Sequence, residues 1–191
     1  MRIEGLCKSF GDNIIFDNYD LDIQDGKCTV ITGASGCGKT TLLRILAGLE
    51  EYKCTFEDRK SQKVSYVFQE DRLCDNLTAI DNVMLVIRHG TNKKADRRKC
   101  EECLTELGLD NAIYKRASEL SGGMKRRVAI ARAVMSDADM FLMDEPFTGL
   151  DKDCKEMVMK YLKKVLNGKT MVLTTHDTSE RDYFADNIIE L

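Results

Sequence analysis

The sequence predicts an α/β fold with a mostly parallel sheet, and three observations lead to this prediction. Residues 33–41 read Gly-Ala-Ser-Gly-Cys-Gly-Lys-Thr-Thr, the phosphate-loop (P-loop) pattern of glycine, four residues, then Gly-Lys-Ser/Thr. An apolar run rich in β-branched residues precedes this loop, and leucine and isoleucine at helical spacing follow it. Short apolar runs then alternate with helical patterns along the chain. Such alternation is typical of parallel strands joined by helices.

The individual elements follow from periodicity and from glycine positions. Before residue 70 we predict strands at 2–6, 14–23, 28–31, 53–56 and 63–68, and a helix from 39 to about 48. After residue 70 we predict strands at 140–143, 170–175 and 187–191, and helices at 78–89, 93–107, 122–135 and 151–166. A last short helix follows the strand at 170–175 and ends at about residue 185. Gly90 is the predicted stop of the helix at 78–89. A helical lobe therefore interrupts the strand-bearing domain.

Composition and charge exclude several classes of protein. The chain has 191 residues, enough for one domain with an inserted lobe, and a net charge of −3 from interspersed acidic and basic residues. That charge predicts no general attraction to nucleic acid. No apolar run approaches the roughly 18 residues of a membrane-spanning helix. Residues 1–5 do not open a secretory signal, so we expect a cytoplasmic protein.

The eight cysteines are expected to be reduced thiols, because a phosphate loop without a signal peptide is typical of a reducing compartment. Cys100 and Cys103 form a Cys-x-x-Cys pair, and the sequence offers no second pair to complete a zinc site. We expect both to be small, half-buried residues of a helix.

The P-loop assigns a role to its residues. Its glycines let the backbone turn so that successive N–H groups face one anion, and the helix that begins near Lys39 adds its positive end. Lys39 would contact the β- and γ-phosphates, and the hydroxyl of Thr40 would bind Mg²⁺. The residues predicted to bind nucleotide here are Gly33, Ala34, Ser35, Gly36, Cys37, Gly38, Lys39, Thr40 and Thr41.

Asp144 and Glu145 follow an apolar run at 140–143, which predicts a buried parallel strand that ends in two acids. Kinases, GTPases and transport ATPases all have a P-loop, so the residues that accompany it, such as these acids, are needed to distinguish these classes. Asp144 can hold Mg²⁺ through its water shell, and Glu145 can orient and polarise an attacking water. The alternative is that the acids only end the strand and cap the next helix. The P-loop in the same chain favours the metal interpretation.

A second glycine-rich helix start lies at Leu120-Ser121-Gly122-Gly123-Met124. Its two glycines and the N–H donors of a helix start predict another phosphate-binding turn. One ATP needs only one such turn around its phosphates. The second turn therefore predicts a site that another copy of the chain completes.

With these motifs and His176, the chain closely resembles the nucleotide-binding subunits of the ATP-binding cassette (ABC) superfamily. The Leu-Ser-Gly-Gly signature is specific to that superfamily, and the resemblance covers essentially the whole chain. It implies a P-loop NTPase core of the ABC ATPase type at 1–71 and 136–191, with a small antiparallel β lobe. It also implies an inserted α-helical subdomain at 72–135 and a head-to-tail dimer that clamps two ATP molecules with Mg²⁺.

The resemblance implies roles for single residues as well. Phe10 resembles the aromatic residue that stacks on adenine, and Gln69 resembles the glutamine that senses Mg²⁺ and couples the helical lobe. Glu145 resembles the catalytic base, Asp151 the acid that contacts the partner subunit, and His176 the histidine that holds the γ-phosphate. The residues expected to act in catalysis are Lys39, Gln69, Glu145 and His176. Those expected to hold the metal are Thr40, Gln69 and Asp144.

Two further stretches bear on the subclass. Residues 68–73 and 77–83 look like the segment around the glutamine in importers of the nitrate, sulfonate and taurine type, and Met124-Lys125 after the signature is familiar there too.

The segment between Glu50 and Lys63 departs from the family pattern, because it is short and lacks the usual glycine-containing turn. We therefore expect a reduced antiparallel lobe.

The resemblance implies an ATP-hydrolysing subunit of a membrane importer, attached to the inner face of the cell membrane through separate permease subunits. The alternatives are an ABC ATPase of an exporter, a lipoprotein-release or a cell-division complex, and a regulatory module that binds ATP without hydrolysing it. Nucleic-acid-linked ABC ATPases usually carry two cassettes or a long coiled-coil insertion, and this sequence has neither. We expect no nucleic-acid partner.

Cys37 adds one hypothesis to the P-loop. Loop amides and Lys39 surround it, an environment that favours a thiolate and hence a redox-sensitive thiol. A variable loop position without that role is the favoured interpretation.

Overall fold

The computed structural model describes residues 1–58, 62–87 and 92–191, and these contain eight strands and six α-helices. The strands are β1 (Arg2–Phe10), β2 (Asn13–Asp22), β3 (Cys28–Thr32), β4 (Phe56–Asp58), β5 (Val64–Val67), β6 (Met140–Asp144), β7 (Thr170–Thr174) and β8 (Asn187–Glu190). The helices are α1 (Lys39–Leu46), α2 (Ala79–Met84), α3 (Lys93–Glu106), α4 (Gly122–Val134), α5 (Lys152–Val165) and α6 (Thr178–Phe184).

The strands form two sheets. A five-stranded sheet has the order β5-β6-β7-β3-β8, and a three-stranded sheet has the order β2-β1-β4. In the larger sheet β3 pairs in parallel with β7 and β8, and β6 pairs in parallel with β7. In the smaller sheet β1 pairs antiparallel with β2 and β4. The predicted fold class, an α/β core with a mostly parallel sheet and a small antiparallel lobe, is confirmed.

One compact unit comprises Met1–Tyr66, Asp139–Asp144 and Gly168–Leu191. Its central strands β6 and β7 are buried along their whole length, because side chains are covered on both faces of a parallel sheet. Helix α1 packs against both strands. The apolar residues of α1 are fully buried in a core that also includes residues of the antiparallel lobe. This core fixes the helix that follows the P-loop.

A second unit comprises Val67–Ala138 and Glu145–Asn167, and it is helical. Helix α2 packs against α3 and α4, and α3 also packs against α4. Their contact is apolar, since each helix buries one face. The buried residues include Ile80, Val83, Cys100, Cys103, Leu104, Val128 and Ile130. The predicted subdomain boundaries at 71/72 and 135/136 stay a prediction.

Three predicted elements differ from the structure. Strand β1 continues to Phe10 instead of ending at residue 6. Helix α2 ends at Met84 instead of near His89, and Leu85, the next residue, is exposed to solvent. The predicted stop at Gly90 lies outside the described residues, as do residues 59–61. The strand expected at 53–56 is displaced to β4, and Lys53 makes only an isolated bridge to Cys7.

The displacement of this strand has a local cause in β1. Gly5 has a φ of 65°, and the β1–β2 register shifts between Ile3 and Leu6, which is typical of a β-bulge. A Cβ added at Gly5 would lie 2.6 Å from the hydroxyl oxygen of Thr55. Regular pairing with β1 is therefore limited to the stretch before the bulge, where Glu4 pairs with Phe56.

Cys100 and Cys103 are more deeply buried in α3 than the sequence predicts. The Tyr161 hydroxyl donates to Cys103 Sγ at 3.1 Å, and Cys100 Sγ lies 3.5 Å from Met84 Sδ. Burial raises the pKa of each thiol to about 11. Within residues 1–58, 62–87 and 92–191, no helix combines the length and the apolar composition needed to span a bilayer.

Candidate functional site

The loop between β3 and α1 adopts backbone conformations that favour glycine. Gly33, Gly36 and Gly38 have φ values of 146°, 82° and 108°. At Gly38 an added Cβ would lie 2.7 Å from Ile15 Cγ2 and 3.0 Å from Phe16 Cζ. A side chain at this position would therefore collide with the core. A bare backbone of this kind can turn successive N–H groups toward one anion.

Lys39 is the first residue of α1, and its side chain bends back into this loop. The residue is only 8% exposed. Its Nζ donates hydrogen bonds of 2.8 Å to the carbonyl oxygens of Gly33 and Ala34, and lies 3.9 Å from Cys37 Sγ. Burying an ammonium group is costly unless it is hydrogen-bonded, and the two carbonyls offset that cost. The structure thus places a cation within the predicted phosphate-binding loop.

The other P-loop residues lie around this cation. Thr40 and Thr41 are half-buried in the first turn of α1, and Cys37 is half-buried before it. Ala34, Ser35 and Gly36 are exposed. The loop is therefore open to solvent at its tip, while Lys39 and the two threonines form its inner end.

Asp144 ends β6 and is 2% exposed. The Thr174 hydroxyl donates to its Oδ1 at 2.8 Å, and the Tyr66 hydroxyl donates to its Oδ2 at 3.4 Å. Asp144 and Thr174 are paired residues of the parallel ladder between β6 and β7. Both carboxylate oxygens are thus oriented by neighbouring residues of the same unit. Tyr66 and Thr174 were not predicted from the sequence, because only the strand order brings them to Asp144.

Glu145 follows Asp144 with an unusual backbone conformation. Its φ is 45°, in the left-handed region, which costs a non-glycine residue roughly 1–2 kcal/mol. Its carbonyl accepts a hydrogen bond of 2.8 Å from Arg126 Nη2, and its Oε2 accepts one of 3.5 Å from the Thr148 hydroxyl. Arg126 was missed as a functional residue. The available signal was an arginine at helical spacing from Gly122 and Gly123 before it and from Ala129 and Ile130 after it.

The Leu-Ser-Gly-Gly segment forms the start of α4. Ser121 is the N-cap residue, and its Oγ accepts a hydrogen bond of 3.3 Å from the Met124 N–H. The helix begins at Gly122, and a Cβ added at Gly123 would lie 3.5 Å from the Gly149 carbonyl oxygen. The Met124 N–H, one of the donors expected to bind an anion at this helix start, is thus hydrogen-bonded to Ser121 in this structure.

Asp151 and His176 are two further predicted site residues, one at the start of a helix and the other in a loop. Asp151 is the exposed N-cap of α5, and its Oδ1 accepts a hydrogen bond of 2.9 Å from the Cys154 N–H, which lowers the pKa of the carboxyl group. His176 is exposed in the loop after β7. In that loop the Thr175 hydroxyl donates to the buried Glu180 carboxylate and accepts a hydrogen bond from the Asp177 N–H at 3.0 Å.

Phe10 and Gln69 complete the predicted set. Phe10 ends β1 and is 48% exposed, and Lys8 Nζ lies 4.5 Å from the centroid of its ring. Gln69 is exposed just after β5. Their roles toward adenine and Mg²⁺ stay predictions, as do the roles of Ser121, Asp151 and His176.

A glycine-rich loop joins β3 to α1, its lysine is buried within the loop, and an oriented acid ends β6 two strands away in the same sheet. This arrangement of a phosphate loop and a strand-end acid defines the class of P-loop NTPases.

Comparison with known proteins gives the family. Residues 16–148 match the family described as ABC transporter. The chain is 38% identical over 200 residues to the aliphatic sulfonates import ATP-binding protein SsuB 1 of Rhizobium johnstonii, covering all of this chain and 73% of that protein. It is 33% identical over 201 residues to the Nod factor export ATP-binding protein I of Cupriavidus metallidurans, covering 98% and 66%.

A solved structure agrees with these relatives. The dimeric post-hydrolysis state of the ATP-binding cassette MJ0796, bound to ADP and Pi, has a TM-score of 0.84 to this chain at 30% identity, covering all of this chain and 93% of that one. The chain belongs to the ABC transporter family, as one of its ATP-binding domains.

Proposed function

We propose that this chain is the ATP-binding and ATP-hydrolysing subunit of an ABC importer. The observation that carries the proposal is the buried Lys39 ammonium, which lies 2.8 Å from two carbonyl oxygens of the loop. In this loop a Cβ added at Gly33 or Gly38 would collide with neighbouring atoms. A fixed cation beside such a backbone suits the negative charge of a nucleoside triphosphate. The import relative supports the direction, and its name supports a small sulfonate-like cargo of the nitrate, sulfonate and taurine group.

The nine residues from Gly33 to Thr41 bind the phosphates in this proposal, and Phe10 stacks on the adenine. Mg²⁺ suits the hydroxyl of Thr40 and the carboxylate of Asp144, since hard cations prefer oxygen ligands. The two hydrogen bonds that orient Asp144 fit such a role. When bound by these residues, Mg²⁺ would supply positive charge that offsets the charge of the phosphates. The role of Gln69 toward the metal rests on the family resemblance.

Hydrolysis then needs one base and one group that holds the γ-phosphate. Glu145 accepts a proton from the attacking water, whose oxygen bonds to the γ-phosphorus. The bond from that phosphorus to the bridging oxygen breaks, and ADP and inorganic phosphate are released. His176 donates a hydrogen bond to the γ-phosphate, and Lys39 stabilises its developing charge.

A second copy of the chain completes each site, with Ser121, Gly122 and Gly123 at the nucleotide and Asp151 at the subunit contact. The dimeric cassette among the solved structures supports this arrangement. Closure of the two copies on ATP moves separate permease subunits. Because the chain is attached to the membrane through these subunits, it is peripheral on the inner face. No nucleic acid takes part.

The Glu145→Gln variant tests the assignment of the base. We expect hydrolysis to fall by at least about a hundredfold, because the amide cannot accept the proton. ATP binding is retained, and sedimentation with ATP shows a dimer. Glu156→Gln, at an exposed acid of α5, is the matched control and keeps full activity. Unchanged phosphate release from Glu145→Gln would contradict the assignment.

Export is the second candidate function, and the Nod factor relative supports it. Purification of the chain with its membrane subunits in lipid vesicles separates the two directions. Import predicts that a solute-binding protein stimulates ATP hydrolysis and that solute accumulates on the side that holds this chain. Solute movement away from that side favours export. Binding of ATP without steady-state phosphate release favours a regulatory module.

A further inference from the structure

Arg126 lies in α4, five residues after Ser121, and is 3% exposed. Arginine is rarely buried this completely unless its charge and its N–H groups have partners. Its Nη1 donates to the Phe68 carbonyl at 2.6 Å and to Asp71 Oδ1 at 3.3 Å. Its Nη2 donates to the Glu145 carbonyl at 2.8 Å. One guanidinium group therefore binds two backbone carbonyls and one carboxylate.

These partners belong to two different stretches of the chain. Phe68 and Asp71 flank Gln69 in the segment after β5, and Glu145 follows β6. Together with α4, which begins at the Leu-Ser-Gly-Gly segment, three parts of the helical unit meet at one side chain. All three carry residues that the proposed function uses.

The hydrogen bond to the Glu145 carbonyl bears on the backbone conformation of Glu145. Glu145 has a φ of 45°, a conformation that persists only when surrounding contacts hold it. A charge-assisted hydrogen bond from a buried guanidinium is stronger than a neutral one. Loss of this bond would let the peptide group relax and move the carboxylate of Glu145.

We propose that Arg126 is a positioning residue, which fixes the backbone of Glu145 against the segment that carries Gln69 and so places the Glu145 carboxylate for hydrolysis. This inference rests on the proposed function, in which Glu145 is the base. Arginine suits the task because its planar group presents several donors in fixed directions, whereas lysine presents a single point charge. Asp71 balances the buried charge at 3.3 Å.

The Arg126→Gln variant tests the proposal. We expect kcat for ATP hydrolysis to fall roughly 10- to 100-fold, as small displacements of catalytic groups do, while the KM for ATP changes less than about threefold. Arg132→Gln is the matched control, because Arg132 lies on the same helix and donates to the carbonyls of Asp71 and Arg72 at 3.0 and 2.9 Å. Its kcat should stay within about twofold of the parent. An equal loss of kcat in both variants would overturn the proposal.

A second comparison separates positioning from the cost of an unpaired charge. Removing Arg126 leaves the Asp71 carboxylate without this partner, and burial already raises the pKa of Asp71 against the opposing effect of Arg126. The double variant Arg126→Gln with Asp71→Asn removes both charges. We expect its thermal midpoint to return toward that of the parent while kcat stays low. Full recovery of kcat would show that the charge, and not the carbonyl bonds, caused the loss, and would overturn the proposal.

A double-mutant cycle with Glu145→Gln links the effect to the base. In the Glu145→Gln background, Arg126→Gln should lower the remaining rate less than about twofold. A loss as large as in the parent would mean that Arg126 acts apart from Glu145. If Glu145→Gln alone leaves hydrolysis unchanged, the proposed function fails at its base. If Glu145→Gln abolishes hydrolysis and Arg126→Gln keeps full kcat, only the positioning role fails.

Discussion

The hydroxyl of Thr174 donates a hydrogen bond of 2.8 Å to Oδ1 of Asp144, across the parallel ladder of β6 and β7. Both residues are buried, so this hydrogen bond helps to orient the carboxylate, as does the one from the Tyr66 hydroxyl. The same strand carries a second buried threonine, Thr170, whose hydroxyl accepts the Gly26 N–H at 2.9 Å. The two threonines offer a matched comparison between a residue that touches the acid and one that does not.

Thr174→Val should raise the Mg²⁺ concentration needed for half-maximal hydrolysis several-fold, because the Asp144 carboxylate loses a buried donor. The same loss should destabilise the fold by about 1–3 kcal/mol. Thr170→Val also loses a hydrogen bond, at about 0.5–1.5 kcal/mol, and should leave the Mg²⁺ requirement unchanged. Magnesium titrations of phosphate release and urea unfolding measure both quantities. Equal Mg²⁺ requirements in the two variants would contradict the prediction.

Lys39→Met should weaken ATP binding by at least about tenfold, because it removes a buried cation that lies in the loop while keeping an unbranched side chain of similar length. Equilibrium dialysis with ATP measures the affinity. Lys27→Met is the control, since Lys27 is exposed just before the same strand β3. An unchanged affinity for ATP in Lys39→Met would contradict the role of Lys39 on which the proposed function depends.

Asp151 offers a way to separate helix capping from subunit contact. Asparagine caps a helix about as well as aspartate, whereas alanine does not cap. Asp151→Ala should lower the urea midpoint, and Asp151→Asn should keep it at neutral pH. If the carboxylate contacts a second copy, both variants should weaken the ATP-dependent dimer in the Glu145→Gln background, as sedimentation can measure. A full dimer in Asp151→Asn would assign the residue to capping alone.

The pKa of Asp151 also predicts an acid effect. Its hydrogen bond to the Cys154 N–H lowers the pKa in the folded chain, so the charged form stabilises the fold above the pKa of the unfolded chain. That contribution is lost as the pH falls through the folded pKa. The difference in urea midpoint between the parent and Asp151→Ala should therefore shrink at acid pH. A difference that is constant with pH would contradict this.

The buried thiols of α3 predict the opposite dependence at alkaline pH. Burial raises the pKa of Cys100 and Cys103 to about 11, so the folded chain keeps protons that the unfolded chain releases. Stability should fall as the pH rises from the ordinary thiol range toward 11, by up to about 1.4 kcal/mol per pH unit for each thiol. Urea unfolding at several pH values measures the slope. Alanine at both positions should reduce the slope, and the part that remains is expected from Tyr161, whose pKa burial also raises. Alanine at the exposed Cys54 and Cys74 should leave the slope unchanged.

Several features followed from the sequence because their physical causes are local. The P-loop is nine consecutive residues, and its conformation depends on glycines within it. Helices α3, α4 and α5 and strands β6 and β7 have apolar patterns with a clear period or a clear length, and they lie within one or two residues of the predicted bounds. The order of the motifs was also enough to indicate the ABC transporter family.

Other features required the tertiary structure. Strand β4 was misplaced because the bulge at Gly5, far away in the sequence, decides where β1 can pair. The partners of Asp144 are 30 and 78 residues away, and Arg126 is 19 residues from Glu145. Periodicity reports which face of an element is buried, and it does not report which strand lies next to which. The sequence thus determined the loop and the acids of the proposed site, while strand order and helix packing decided which side chains contact those acids.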